Sequence, residues 1–206
     1  MVWMWTVAMW LSGSLMFSYW LGRLARHNLK SVGDGNPGGV NLLKAAGIRW
    51  GLAGIALDFL KGYLPLLLLL EHEAAAGYEV VPLAIAPVLG HAFSPFLKFR
   101  GGKAIAVTFG VWSALTGFEV SVAYAVILAV LLAIDRSVRR VKTALPESDA
   151  AQVLLGMLLV FVYLYVAGFS AAYLWCWLGI FAVLIYTHRR EIGTFLSRVN
   201  ELLGHH

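Results

Sequence analysis

"IRWGLAGIALDFLKGYLPLLLLL" runs from Ile48 to Leu70. About 20 apolar residues in a helix cross the hydrocarbon core of a bilayer. Past its first turn this stretch carries only Asp58 and Lys61 as charged residues, so it reads as a transmembrane helix. The rest of the chain agrees. Of its 206 residues 60% are hydrophobic and 13% charged, and the mean hydropathy is +0.77. A soluble domain has too little polar surface to cover such a composition. A single cysteine, Cys176, excludes an internal disulfide framework, and no Cys/His spacing suggests a structural zinc site.

Apolar runs fall at roughly 2–22, 48–70, 80–96, 104–118, 120–134, 152–168 and 171–187. The expected fold is therefore all-α, a polytopic membrane bundle of about seven helices. The third to fifth runs are shorter than the ~20 residues of a perpendicular crossing, which predicts kinked or re-entrant segments there. The first run is too long and aromatic for an ordinary signal peptide and is read as a retained helix. Pro65 is expected to kink the second. One domain over 1–206 is expected, with 203–206 a tail.

Charge orients the bundle. Arg23, Arg26, Lys30, Lys44 and Arg49 follow the first run. Lys98, Arg100 and Lys103 follow the third, and Arg136, Arg139, Arg140 and Lys142 the fifth. Arg189, Arg190 and Arg198 lie in the tail, and of all Lys and Arg only Lys61 lies deep inside a run. The alternate loops carry Glu71, Glu73, Glu79 and Glu119 and no basic residue. The positive-inside rule then predicts seven spans with the N-terminus outside and the C-terminus cytoplasmic. The formal charge of +5 is a topology signal and an attraction to anionic lipid. It implies no nucleic acid.

Four polar clusters interrupt the apolar sequence. "SVGDGNPGGVN" has the glycines of an anion-binding nest, with Asn36 and Asn41 as amide donors, and equally the composition of a plain interhelical loop. No strand precedes it, so its glycines do not make a dinucleotide-binding fingerprint. Asp58 and Lys61 are i, i+3 on one helix face, a functional site or an internal pair. "GHAFSPFLKFRGGKA" groups His91, Ser94, Lys98, Arg100 and Lys103 around Gly101–Gly102. Cations beside a Gly-Gly turn suit a phosphate, or a basic loop that anchors topology. "THRREIG" sets His188 at the end of the last run, as a base, a phosphate donor or an interfacial residue. Together they predict an anion-binding pocket at the mouth of an apolar bundle. A transferase, a transporter and a lipid-binding subunit all fit that description, although transporter sites usually lie near the midplane. Nothing demands a metal or a cofactor.

The motifs resemble those of the bacterial acyl-phosphate:glycerol-3-phosphate acyltransferases, integral membrane enzymes of phospholipid synthesis. "GHAFSPFLKFRGGKAIA" is close to the family's second motif. "GDGNPGGVNLLKAAG" is similar to the first, "DFLKGYLP" to the segment between them, and "HRREI" to the third. The likeness runs from Gly33 to Ile192. It implies transfer of a fatty acyl group from acyl phosphate to the 1-hydroxyl of glycerol 3-phosphate, at the cytoplasmic side of a bacterial inner membrane. The implied partners are those two substrates and membrane lipid.

The resemblance also implies a site. His188, Lys103 and Asn41 are its catalytic candidates, with His188 the side chain that would take the hydroxyl proton. Asp34, Gly35, Asn36, Gly38, Gly39, Lys44, Asp58, Lys61, His91, Ser94, Arg100, Gly101, Gly102 and Glu191 are its substrate-binding candidates. Several positions depart from the family pattern. Asp34 replaces serine, Val40 threonine, Lys44 arginine, Ala104 glycine and Glu191 asparagine. An aspartate at 34 repels a phosphate unless it is protonated or paired. These departures leave open a transferase with another acceptor, or a non-catalytic protein that binds lipid or anions.

Overall fold

The structure, a computed structural model, describes residues 1–139 and 146–203. Arg140, Lys142 and the tail residues 204–206 lie outside them. The described residues form helices and short 3-10 turns, with no strand among them. The helices are α1 (Val2–Ser14), α2 (Phe17–Leu24), α3 (Gly39–Ala46), α4 (Ile48–Glu71), α5 (Val80–Ala92), α6 (Ile105–Thr116), α7 (Glu119–Arg139), α8 (Pro146–Val166), α9 (Ala171–Thr187) and α10 (Arg189–Leu203).

Four stretches are long and apolar enough to cross a bilayer: Ile48–Glu71, Gly77–Leu97, Glu119–Val138 and Asp149–Val166. A fifth forms if α9 and the start of α10, bent by 65°, count as one. The first and fourth apolar runs are not continuous helices of spanning length. The first breaks between α1 and α2, where Leu15 takes an extended conformation (φ −64°, ψ 120°). The freed carbonyls have buried partners. Ser94 Oγ donates to Ser14 O at 2.7 Å, and Lys61 Nζ donates to Leu15 O. Non-helical backbone at membrane depth is tolerated only where protein satisfies it in this way. The fourth run gives the 12-residue α6, ~18 Å long at 1.5 Å per residue. α4 continues as one helix through Pro65. The tail forms α10, a helix that its charged residues hid from a reading based on apolar runs.

Lipid is as apolar as leucine, so helix association here rests on close packing rather than on escape from water. The closest pairs are α4 with α6 and α1 with α5, and glycines set both. A Cβ on Gly110 would lie 2.2 Å from Phe59 O, and one on Gly62 2.8 Å from Val107 O. Between α1 and α5, a Cβ on Gly13 would lie 2.1 Å from Pro87 O, and one on Gly90 2.1 Å from Trp10 O. Leu52, Leu64, Leu68, Val126, Val130 and Leu178 are exposed and face outward as a lipid-contacting girdle.

Candidate active site

Three segments far apart in sequence meet at one end of the bundle: residues 30–37, 92–103 and 186–191. After α5 the chain turns at Pro95 and runs back along that helix. Gly101 N donates to Ala92 O at 3.0 Å, and Gly102 N to His91 O at 3.1 Å. A Cβ on Gly101 would lie 1.9 Å from His91 O. At Gly101 backbone lies on backbone, while a Cβ on Gly102 would meet the His91 ring. Both glycines' amides are hydrogen-bonded to that stretch of backbone, which corrects the expectation that they donate to a phosphate. The result is to carry Lys103 inward. Ala104 then adopts a left-handed conformation (φ +63°, ψ 15°) before α6 begins, a strained geometry for any residue but glycine.

Lys103 joins the other two segments. Its Nζ lies 2.6 Å from Asp34 Oδ2 and 2.8 Å from Glu191 Oε1. Two of the positions that depart from the family pattern thus converge on one lysine. Asp34 also organises its own loop. Its Oδ1 accepts from Asn36 N at 3.1 Å and from Asn41 Nδ2 at 2.8 Å. Partial burial pushes the Asp34 carboxyl up, but Lys103, the Asn36 amide and Asn41 outweigh it and hold it below its ordinary 3.8. Burial likewise works against the charge on Lys103, and the two carboxylates outweigh it and raise its pKa above 10.5. Asp34 is therefore the paired anion of the two cases left open by its sequence. The second Glu191 oxygen, Oε2, is buried and has no hydrogen-bond partner among the described residues.

Two cavities open on this cluster. One, of about 810 Å³, is lined by Lys30, Lys98, Arg100, Lys103, Arg189 and Arg190 against Asp34 and Glu191. The other, of about 500 Å³, is apolar and runs down α6 between α4 and α7. Ile55, Phe59, Phe109 and Phe118 line its length, and Asn36, His91 and Lys103 line its mouth. Asn36 and Lys103 border both. The first turn of α3 also faces the apolar mouth through Gly38 and Gly39.

The remaining candidates divide. Asp58 and His91 border the apolar cavity, and Arg100 and Glu191 the basic one. Gly35, with φ +74°, borders the basic cavity, but its N–H is held by Val32 O at 3.0 Å. Asn41 is buried and borders neither cavity. Its amide nitrogen reaches Val32 O and Asn36 O as well as Asp34, so it shapes the loop. Ser94 is fully buried on Ser14 O. Lys61 is buried among protein partners. Lys44 is exposed and borders neither cavity. His188 is buried, with Nδ1 2.9 Å from Leu184 O. It also borders neither cavity. Lys98 of the cationic cluster also enters the basic cavity, with Lys30, Arg189 and Arg190, whose sequence signal was only that of topology anchors.

A model of the family described as Glycerol-3-phosphate acyltransferase matches residues 3–198. The chain belongs to the glycerol-3-phosphate acyltransferase family. Among its relatives, glycerol-3-phosphate acyltransferase 1 of Thermotoga maritima is 36% identical over 195 residues, covering 92% of this chain and 95% of that one. The glycerol-3-phosphate acyltransferase of Aquifex aeolicus is 30% identical over 187 residues and 91% of each chain. The fold is similar to that of PlsY, an integral membrane glycerol 3-phosphate acyltransferase, in its glycerol 3-phosphate form. The TM-score is 0.82 at 27% identity, over 95% of this chain and 92% of that one. The lysophosphatidic acid form of PlsY matches with a TM-score of 0.80.

Proposed function

We propose that this protein transfers the acyl group of an acyl phosphate to the 1-hydroxyl of glycerol 3-phosphate, releasing lysophosphatidate and phosphate. The observation that carries this reading is the meeting of a basic and an apolar cavity at Asn36 and Lys103. An acyl phosphate has both characters in one molecule. Its chain fits the apolar groove along α6, and its phosphate lies with the acceptor's phosphate among the basic side chains. The bonds balance without a covalent enzyme intermediate. The acceptor oxygen bonds to the carbonyl carbon, the bond from that carbon to the phosphate oxygen breaks, and the hydroxyl proton leaves on phosphate. Holding two phosphates in register and neutralising their charge supplies much of the acceleration.

Seven crossings with a cytoplasmic site in a bacterial inner membrane are part of this proposal. Supporting it, the basic residues of three loops gather at one end. At the other, Tyr163 OH donates to Glu119 Oε1 at 2.7 Å, where the acidic loops lie. In this topology α1 with α2, and the short α6, are the irregular crossings. A cysteine placed at Glu73 would be labelled from outside intact cells and one at Arg100 from the cytoplasm. The reverse pattern would remove the topology.

The carboxylates on Lys103 favour a second reading, an acceptor less anionic than glycerol 3-phosphate. One assay separates the two. Purified protein in lipid is given acyl phosphate and glycerol 3-phosphate, and phosphate and lysophosphatidate are both followed. Matched release of the two is expected. Phosphate alone points to water or another acceptor, and no product above background leaves a non-catalytic anion-binding protein.

A further inference from the structure

Asp58, Lys61 and His91 form a buried chain of contacts that phosphate binding leaves without a task. Lys61 Nζ lies within hydrogen-bond distance of Leu15 O, of Asp58 Oδ1 at 2.8 Å and of His91 Nδ1 at 2.8 Å. An ammonium has three protons and no lone pair, so each proton has one acceptor. Asp58 is held as the counter-charge, its Oδ2 accepting from Ser18 Oγ at 2.5 Å. Because Lys61 only donates, His91 Nδ1 must accept, and a neutral imidazole then carries its proton on Nε2. That edge of the ring lies beside Gly102, which lines the basic cavity, while His91 itself lines the apolar one. A Cβ on Gly102 would lie 2.4 Å from His91 Nε2 and 3.2 Å from Asn36 Oδ1. The missing side chain at 102 keeps this edge uncovered.

We propose that Asp58 and Lys61 are positioning residues that lock His91 in its Nε2–H tautomer, and that His91 donates this hydrogen bond to the carbonyl oxygen of the acyl phosphate. The donor role rests on the acyl-transfer reading above. As the acceptor oxygen bonds to the carbonyl carbon, the carbonyl electron pair moves onto oxygen, where the His91 N–H meets it. The pair returns as the bond from carbon to phosphate breaks, and the hydroxyl proton leaves on phosphate. His91 neither gains nor loses a proton. It acts as a fixed donor where negative charge develops, and no ring nitrogen is free to serve as base.

The lock is tested without turnover. Nitrogen NMR of ¹⁵N-histidine protein in nanodiscs, assigned through His91→Gln, should show a protonated Nε2 and an unprotonated, hydrogen-bonded Nδ1. A ring protonated on Nδ1, or on both nitrogens near neutral pH, overturns the lock. In Asp58→Asn/Lys61→Met, which leaves no unpaired buried charge, the two tautomers should mix, and an unchanged spectrum would show that the pair does not set the tautomer. The donor role is tested by kinetics. His91→Phe should lower kcat about 10²–10³-fold, the scale of losing one such donor, with KM changed less than about threefold. His91→Gln, which returns an N–H near the same place, should recover at least about tenfold of that. Equal losses in the two variants overturn the donor. An inactive wild-type protein would sink the donor together with the acyl-transfer reading, and leave the NMR result standing by itself.

Discussion

Lys61 and Lys103 are both removed from bulk water and both paired with carboxylates, yet they occupy opposite situations. The Lys61 side chain is 1% exposed and Lys103 17%. Lys61 has protein acceptors for all of its protons. Lys103 sits on the border of two cavities, and its partners arrive from separate loops. An intramembrane charge invites a functional reading, but burial and pairing do not distinguish these two. Access to a cavity does. Lys61 is enclosed by protein and Lys103 faces the cavities.

The sharpest test is the stability of Lys61→Ala. Removing one partner leaves Asp58 buried and uncompensated, which costs about 3–5 kcal/mol. A fall in Tm and in membrane-inserted yield should follow, with much of it recovered when Asp58→Asn and Lys61→Met are combined. A stable, active Lys61→Ala protein would erase the contrast between the lysines. Lys103→Ala should do the reverse. Its turnover should drop by at least ~100-fold, as for loss of a transition-state charge contact, while its Tm falls less than that of Lys61→Ala. Unchanged turnover would take Lys103 out of the site.

Asp34→Ser sharpens the Lys103 side. Serine still caps the turn at the Asn36 amide and removes one anion from Lys103. KM for glycerol 3-phosphate should fall about 10-fold, or ~1.4 kcal/mol, within what one like-charge contact costs near a protein surface. A rise would show that the aspartate orders the loop more than it opposes the substrate. The pair also has a pH signature. Asp34 titrates below its ordinary 3.8 and Lys103 above 10.5. The aspartate's contribution is present above 3.8 and is lost as pH falls through the lower folded value. The lysine's is present below 10.5 and is lost as pH rises through the higher one. Between these limits the pair's contribution is constant and adds no pH dependence to Tm. Below the aspartate range, Asp34→Ser should show a shallower fall in Tm than the wild type. The smallest effect belongs to Ala104→Gly. Relieving the left-handed conformation, offset by the greater freedom of an unfolded glycine, should stabilise by about 0.5–1 kcal/mol, read as a small rise in Tm.

Much of the bundle was legible as apolar runs, because a span must be apolar along its whole length. Ile48–Leu70 lies within α4 almost residue for residue. The break at Leu15 was not legible, since "SLMFS" carries no proline or glycine at that point. Its cause lies in Lys61 and Ser94, distant in sequence. The site was legible as residue types on one face, and Asp34, Lys103 and Glu191 were all picked out. Their mutual contact was not, because pairing across three loops has no local pattern. Gly101 packs on the His91 backbone, whereas Gly102 packs against the His91 ring. A glycine beside a ligand and a glycine beside another backbone look alike in sequence.

The broken first span bears on how the chain is made. Its exposed carbonyls at Ser14 and Leu15 depend on Ser94 and Lys61, which leave the ribosome much later. Until α4 and α5 have entered the membrane, this stretch has backbone groups that lipid cannot satisfy. The first segment is therefore expected to rest unfinished at the translocon or bilayer edge until later helices complete it. A nascent chain ending before Lys61 should hold its N-terminal span less firmly than one extending past Ser94. Site-specific labelling of arrested chains would read that difference.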